Sequence, residues 1–176
     1  SVTNKIDFAA DEDAFTINLA GGQTISLLVQ GSGGLAPGVR LVNATGTVVG
    51  SAAASSGASV ALAQSIAVSA SGTYRIVVSS ATGSTGSYTV TAQLNGAFEA
   101  EETGGATNDS IATAQSIDGA FLAVGGTMSH AGVTGSLGSA AVDRFAVFSD
   151  SFETGFGPGW TTARSNVIGR TQITNL

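Results

Sequence analysis

Apolar and polar residues alternate with a period of two through much of the first half of the chain. Phe15, Ile17 and Leu19 alternate with Thr16 and Asn18 before a turn at Ala20-Gly21-Gly22. A half-buried strand is the element that sends every second side chain to one face. Past the turn, Ile25, Leu27 and Val29 fall on one side and Ser26 and Leu28 on the other, until Gly31-Ser32-Gly33-Gly34 breaks the run. The short connection predicts a hairpin joining these two strands. Further strands are predicted at 39–42, 47–49, 60–68, 73–78 and 87–94, punctuated by Gly, Ser and Asn turns, and nothing sustains a helical period. Many short strands with short connections predict an all-β fold, sandwich or barrel, with antiparallel pairing. The inward positions are expected to be Phe15, Ile17, Ile25, Leu27, Leu41, Tyr74, Ile76, Val78, Tyr88 and Val90.

The pattern changes at 96–109, where Glu99, Glu101 and Glu102 crowd beside Gly104-Gly105. We expect an acidic, Gly-rich linker there, after a first module at 1–95. Beyond it, Ser110 to Ser116 suits a short helical turn, and Phe121 to Val124 and Phe145 to Phe148 suit strands. Asp143-Arg144-Phe145-Ala146-Val147 echoes Asp13-Ala14-Phe15-Thr16-Ile17, which suggests a partial second module at 110–150. The echo then fails, and 151–176, with Phe152, Glu153 and Trp160, reads as the start of another β-rich segment.

Charge narrows the partners. The chain has 176 residues, 6 Lys+Arg against 12 Asp+Glu and a net charge of -6, with its cations scattered singly. Nucleic acid and anionic membrane surfaces both demand clustered cations, so neither is an expected partner. No apolar run is long enough to span a membrane, and the N-terminus lacks the basic-then-apolar pattern of a signal peptide, so an exported protein would be present here in processed form. Only 10% of residues are charged, and Gly, Ala, Ser, Thr and Val dominate, a composition common in exported bacterial proteins. Cysteine is absent, which suits either side of a membrane in a chain large enough to fold without disulfides.

A set of ordered motifs carries a resemblance. Asp11-Glu12-Asp13-Ala14-Phe15-Thr16-Ile17 is followed by Gly22-Gln23-Thr24, then by Arg40-Leu41 before Asn43-Ala44-Thr45-Gly46. Ser71-Gly72-Thr73-Tyr74 with Val77-Val78 comes next, and then Gly83-Ser84-Thr85-Gly86-Ser87-Tyr88-Thr89-Val90. Over residues 7–95 the chain resembles the bacterial pre-peptidase C-terminal domain, a module appended to secreted proteases and collagenases and to large surface proteins. A second start lies at Asn108 to Gln115. The resemblance implies an antiparallel β-sandwich, jelly-roll-like, followed by a partial second β module. Gly72 and Gly86 would sit where a turn needs positive φ or where a neighbour comes close, and each Tyr would bury its ring with its hydroxyl at an edge. Only Ser1 to Phe8 precede the first Asp motif, so the leading strands are expected to be largely missing and an edge left open.

The resemblance also implies calcium, which takes six to eight oxygen ligands. Collagenase members bind it through a Glu-x-Glu-x-Asn-Asp linker and a later Asp before an aromatic residue. Here the corresponding residues are Glu99 and Glu101, then Asn108 and Asp109, then Asp143, with Glu102 to Thr107 interrupting the motif. In the first copy Asp11 and Asp13 remain, and further ligands would have to come from Asp7, Glu12 or another chain. The alternative in both places is a solvated acidic turn.

Catalytic constellations are not expected. His130 is the sole histidine, no Gly-x-Ser-x-Gly elbow surrounds a serine, and one histidine without cysteine makes a poor zinc site. A lone Glu153 is no glycosidase pair, and the Gly-rich stretch at 31–34 lacks the Lys and helix of a phosphate loop. The sequons Asn43-Ala44-Thr45 and Asn108-Asp109-Ser110 have meaning only in a glycosylating host. Tyr74 and Tyr88 are expected in the core or at an edge instead of on a sugar-stacking platform, and Trp160 is left open. The expected function is a non-catalytic, secreted or cell-surface binding or targeting module. Its expected partner is an extracellular matrix polymer, a cell surface, or neighbouring domains or subunits. The alternative is a structural subunit of an extracellular fibre, a homo-polymer assembled by β-strand complementation.

Overall fold

Eight strands build two sheets whose apolar faces meet. They are β1 (Val2–Ile6), β2 (Glu12–Leu19), β3 (Thr24–Gly31), β4 (Pro37–Val42), β5 (Val48–Ala53), β6 (Val60–Ala67), β7 (Gly72–Ser80) and β8 (Gly86–Leu94). The computed structural model describes residues 1–125, 128–135, 145–146, 160–164 and 171–175. The first sheet has the order β1-β8-β3-β6 and the second β2-β7-β4-β5, with every neighbouring pair antiparallel. Successive strands change sheet at each connection except β4 to β5, which is the jelly-roll arrangement of a sandwich.

The hairpin expected between β2 and β3 does not form. β2 pairs with β7, whereas β3 lies between β8 and β6 in the opposite sheet. Two strands with the same alternation can lie side by side or face each other across a core, so periodicity does not separate the two outcomes. The β2–β3 turn, with Gly22 at φ +88°, carries the chain across. The one hairpin between consecutive strands of the sandwich joins β4 to β5, where Asn43 Oδ1 accepts from the backbone N–H groups of Thr45 and Thr47.

The interior is made by Ile25, Leu27, Val29, Tyr88 and Val90 from the first sheet and by Val39, Leu41, Tyr74, Ile76 and Val78 from the second. Each fully buried aliphatic side chain contributes about 1.5–3 kcal/mol. Phe15 and Ile17 pack against this cluster but are only partly buried, because β2 is an edge strand. The leading strand is present: β1 pairs with β8 along its whole length, Val2 opposite Val90 and Ile6 opposite Gly86, and Ile6 is fully buried. The leading strand expected to be largely missing, leaving an edge open, is therefore in place beside β8. With only Val2 and Ile6 apolar among its five residues, β1 offers almost no periodic signal.

Residues expected to form a linker instead begin with β9 (Gly96–Phe98), all of it buried. It is followed by three-residue 3-10 turns at Glu101–Thr103, Ile111–Thr113 and Asp118–Ala120, the second capped by Ser110. Short strands lie between and after these turns: β10 (Gln115–Ser116) between the second and third, then β11 (Leu122–Gly125), β12 (Met128–His130), β13 (Gly132–Thr134) and β14 (Phe145–Ala146). β13 runs parallel to β9, β14 parallel to β10, and β12 antiparallel to β11. A small cluster of Ala97, Ile117 and Ala120 lies among them. Residues 1–146 gather into one unit and 147–176 into another. The latter contains an antiparallel pair, β15 (Trp160–Arg164) with β16 (Thr171–Asn175).

Candidate acidic site beside the first sheet

β3 is central in the first sheet, and its outer side is covered as well as its inner one. Thr24 and Ser26, which alternate with the core residues, are buried, because β9 and the turns after it lie over them. Ser26 Oγ donates to the Gly96 carbonyl at 2.7 Å and accepts from the Ser65 N–H at 2.9 Å. The second bond supports a bulge on β6, where Ser65 adopts φ +48° and the β3–β6 register shifts. Gln64 accepts from the Phe98 N–H and donates to the Phe98 carbonyl, to which Gln115 Nε2 also donates at 2.9 Å. Two glutamines thus hold β9 where a neighbouring strand would otherwise do so.

This anchoring delivers the acidic segment to a fixed place. Glu99 follows β9 directly, its N–H donating to the Thr134 carbonyl at 2.8 Å, and it is 2% exposed. Asn108 is 1% exposed and joins the two glutamates: its Nδ2 donates to Glu99 Oε1 at 2.9 Å and its backbone N–H to Glu101 Oε2 at 3.0 Å. Asn108 Oδ1 is buried without a hydrogen-bond donor among the described residues. Gly135 permits the approach, since a Cβ there would collide with the Glu99 carboxylate. The structure therefore brings Glu99, Glu101 and Asn108 together. Asp109 is exposed beside them, and Asp143 lies outside the described residues. Among the described residues no three of His, Cys, Asp and Glu converge on one point, so amide and carbonyl oxygens would have to complete any metal shell.

The acids of the first copy have protein partners. Asp11 Oδ2 accepts from the Asp7 N–H at 2.8 Å, Asp7 pairs with Lys5, and Glu12 pairs with Arg40. Asp13 Oδ2 accepts from the Tyr88 hydroxyl at 2.7 Å. Burial first, and then this neighbouring carboxylate, push the Tyr88 phenol well above its ordinary value. Tyr74 donates to the Ala70 carbonyl, so both tyrosines bury their rings and direct their hydroxyls to an edge. His130 lies exposed on β12. Of the two sequons, Asn108 is buried and Asn43 lies in the exposed β4–β5 turn. Trp160 begins β15, and Glu153 lies outside the described residues. No helix among the described residues is long and apolar enough to cross a membrane.

The roles of Gln64, Ser26 and Gln115 carry no signal in the sequence, since each contacts backbone distant along the chain.

No protein-family profile matches the chain, and no curated protein matches it. Among solved structures it is similar to the pre-peptidase C-terminal domain of a collagenase from Bacillus anthracis, with a TM-score of 0.38 and 15% identity. That similarity covers 52% of this chain and 88% of the other.

Proposed function

We propose that the chain is a non-catalytic binding or targeting module of an exported multidomain protein, stabilised by calcium at the Glu99–Asn108 cluster. The observation that carries this reading is the buried Asn108 Oδ1, left without a donor while its amide and backbone nitrogens grip two carboxylates. A buried amide oxygen without a partner costs about 1–3 kcal/mol, and gathering carboxylates nearby adds repulsion. A hard divalent cation offsets both, and an all-oxygen donor set suits calcium better than zinc. Glu99, Glu101 and Asn108 would hold it, with Asp109 next in the chain and Asp143 as the further ligand that the motif resemblance implies. When bound, the ion would supply charge neutralisation and rigidity rather than chemistry. The ordered motifs over residues 7–95 support the exported, accessory role.

Two measurements test the proposal. Calcium should raise the melting temperature and chelator should lower it, with Asn108→Ala abolishing the response; a calcium-independent melt retires the metal. Retention on insoluble collagen, chitin or peptidoglycan should be seen for at least one polymer, and failure on all of them removes the polymer-targeting version.

A further inference from the structure

The outer face of the second sheet gathers two of the chain's six basic residues. The strand register sets Arg75 beside Thr16 on β2 and Val42 on β4, and sets Arg40 beside Val77 on β7 and Ser51 on β5. Because Leu41, Ile76 and Val78 point into the core, alternation sends both arginines to the other side. They line one open depression of about 340 Å³, together with Glu12, Ala14, Val42, Val48 and Val77. Val42 and Val77 are buried although they face outward, as happens where arginine stems lie over aliphatic neighbours. Val48 is 49% exposed.

Arg40 Nη2 donates to Glu12 Oε2 at 2.6 Å. Arg75 has no ion pair among the described residues. In a chain with 12 acids against 6 bases, a second guanidinium beside the first, with no carboxylate of its own, favours an external anion.

We propose that this face docks an extended acidic segment of a partner protein, with the carboxylates of two alternate residues on Arg40 and Arg75. This deepens the reading of the chain as a binding module, and rests on it. Arg40 and Arg75 occupy diagonal positions on neighbouring strands, which lie about 7–8 Å apart. Alternate residues of an extended peptide place carboxylates about 7 Å apart on one side. Acidic polysaccharide fits less well, since no aromatic ring lines the depression to stack on a sugar.

Fluorescence anisotropy of the full chain with a labelled peptide alternating Glu and Val tests the docking face. Binding should weaken with added salt, and the matching Gln-Val peptide should not bind. Arg75→Gln should lower affinity about tenfold, whereas Glu12→Gln should raise it by releasing Arg40. A gain on removing Glu12 is a readout that a merely structural role would not give, and unchanged melting temperatures in both variants exclude misfolding. Equal binding by Arg75→Gln, equal binding of the Gln-Val peptide, or preference for polygalacturonate overturns the proposal, as does absence of peptide binding. Retention on an insoluble polymer without peptide binding removes this face and leaves the module reading intact. Peptide binding without such retention supports the face and counts against polymer targeting.

Discussion

Gly86 and Gly72 look alike in the sequence, each opening a strand just ahead of a tyrosine, but they answer to different constraints. Gly86 has φ +149°, and a Cβ there would collide with the Ser32 carbonyl oxygen and press on Leu35. At Gly72 the φ is not of the left-handed kind and nothing lies within 4 Å of a built Cβ, which corrects the expectation that both glycines are conformationally required. Gly86→Ala is expected to destabilise by about 1–3 kcal/mol through overpacking and backbone strain, and Gly72→Ala to be close to neutral; equal denaturation midpoints for the two variants would refute the distinction. Tyr88 supplies a prediction of the opposite kind, in pH. Its folded-state value lies above the ordinary phenol value of 10.0, so its contribution is fully present below about pH 10 and is lost as pH rises towards the folded value. Tyr88→Phe should lower stability at neutral pH by about 1.5–3 kcal/mol, the range for a hydrogen bond to a charged group. It should also flatten the decline above about pH 10 in urea titrations, and parallel declines would remove that role.

Among the elements, β9 depends most on side chains far away in the chain. Gln64 makes both of its bonds to the Phe98 backbone, and Ser26 anchors Gly96. Gln64→Ala should leave the sandwich folded but cost about 1–2 kcal/mol and speed hydrogen exchange at the Phe98 amide relative to core amides such as Val78. Unchanged protection at Phe98 would show that Gln64 does not hold β9. Because the acidic segment follows β9, the same variant should weaken any calcium response. Most sandwich strands were legible from alternation, since half-burial imposes a period of two on β2, β3, β7 and β8. β1 was not, because an edge strand with four of five residues exposed needs little apolar content, and its pairing with β8 is a backbone affair. β9 was not either: a stretch of three residues is too short to show a period, and Gly96 and Glu99 read as loop chemistry.

At the level of the whole molecule, the candidate acidic site and the arginine face lie on outer surfaces of different sheets, so a packed interior serves both as a scaffold. Residue types alone determined that the chain would be all-β and that Ile25, Leu27, Leu41, Ile76, Val78 and Tyr88 would form one interior, while the ordered motifs and the resemblance they carry marked Glu99, Glu101 and Asn108 as candidate ligands. The first two properties follow from alternation, which is local. Tertiary structure alone decided that β2 and β3 face each other across the core, that β1 closes beside β8, and that Asn108 is buried between two glutamates. It also set Arg40 diagonal to Arg75. The reason is that strand partners such as Val2 and Val90 are chosen by backbone hydrogen bonding between distant segments, and a pattern with a period of two is satisfied equally by many such pairings.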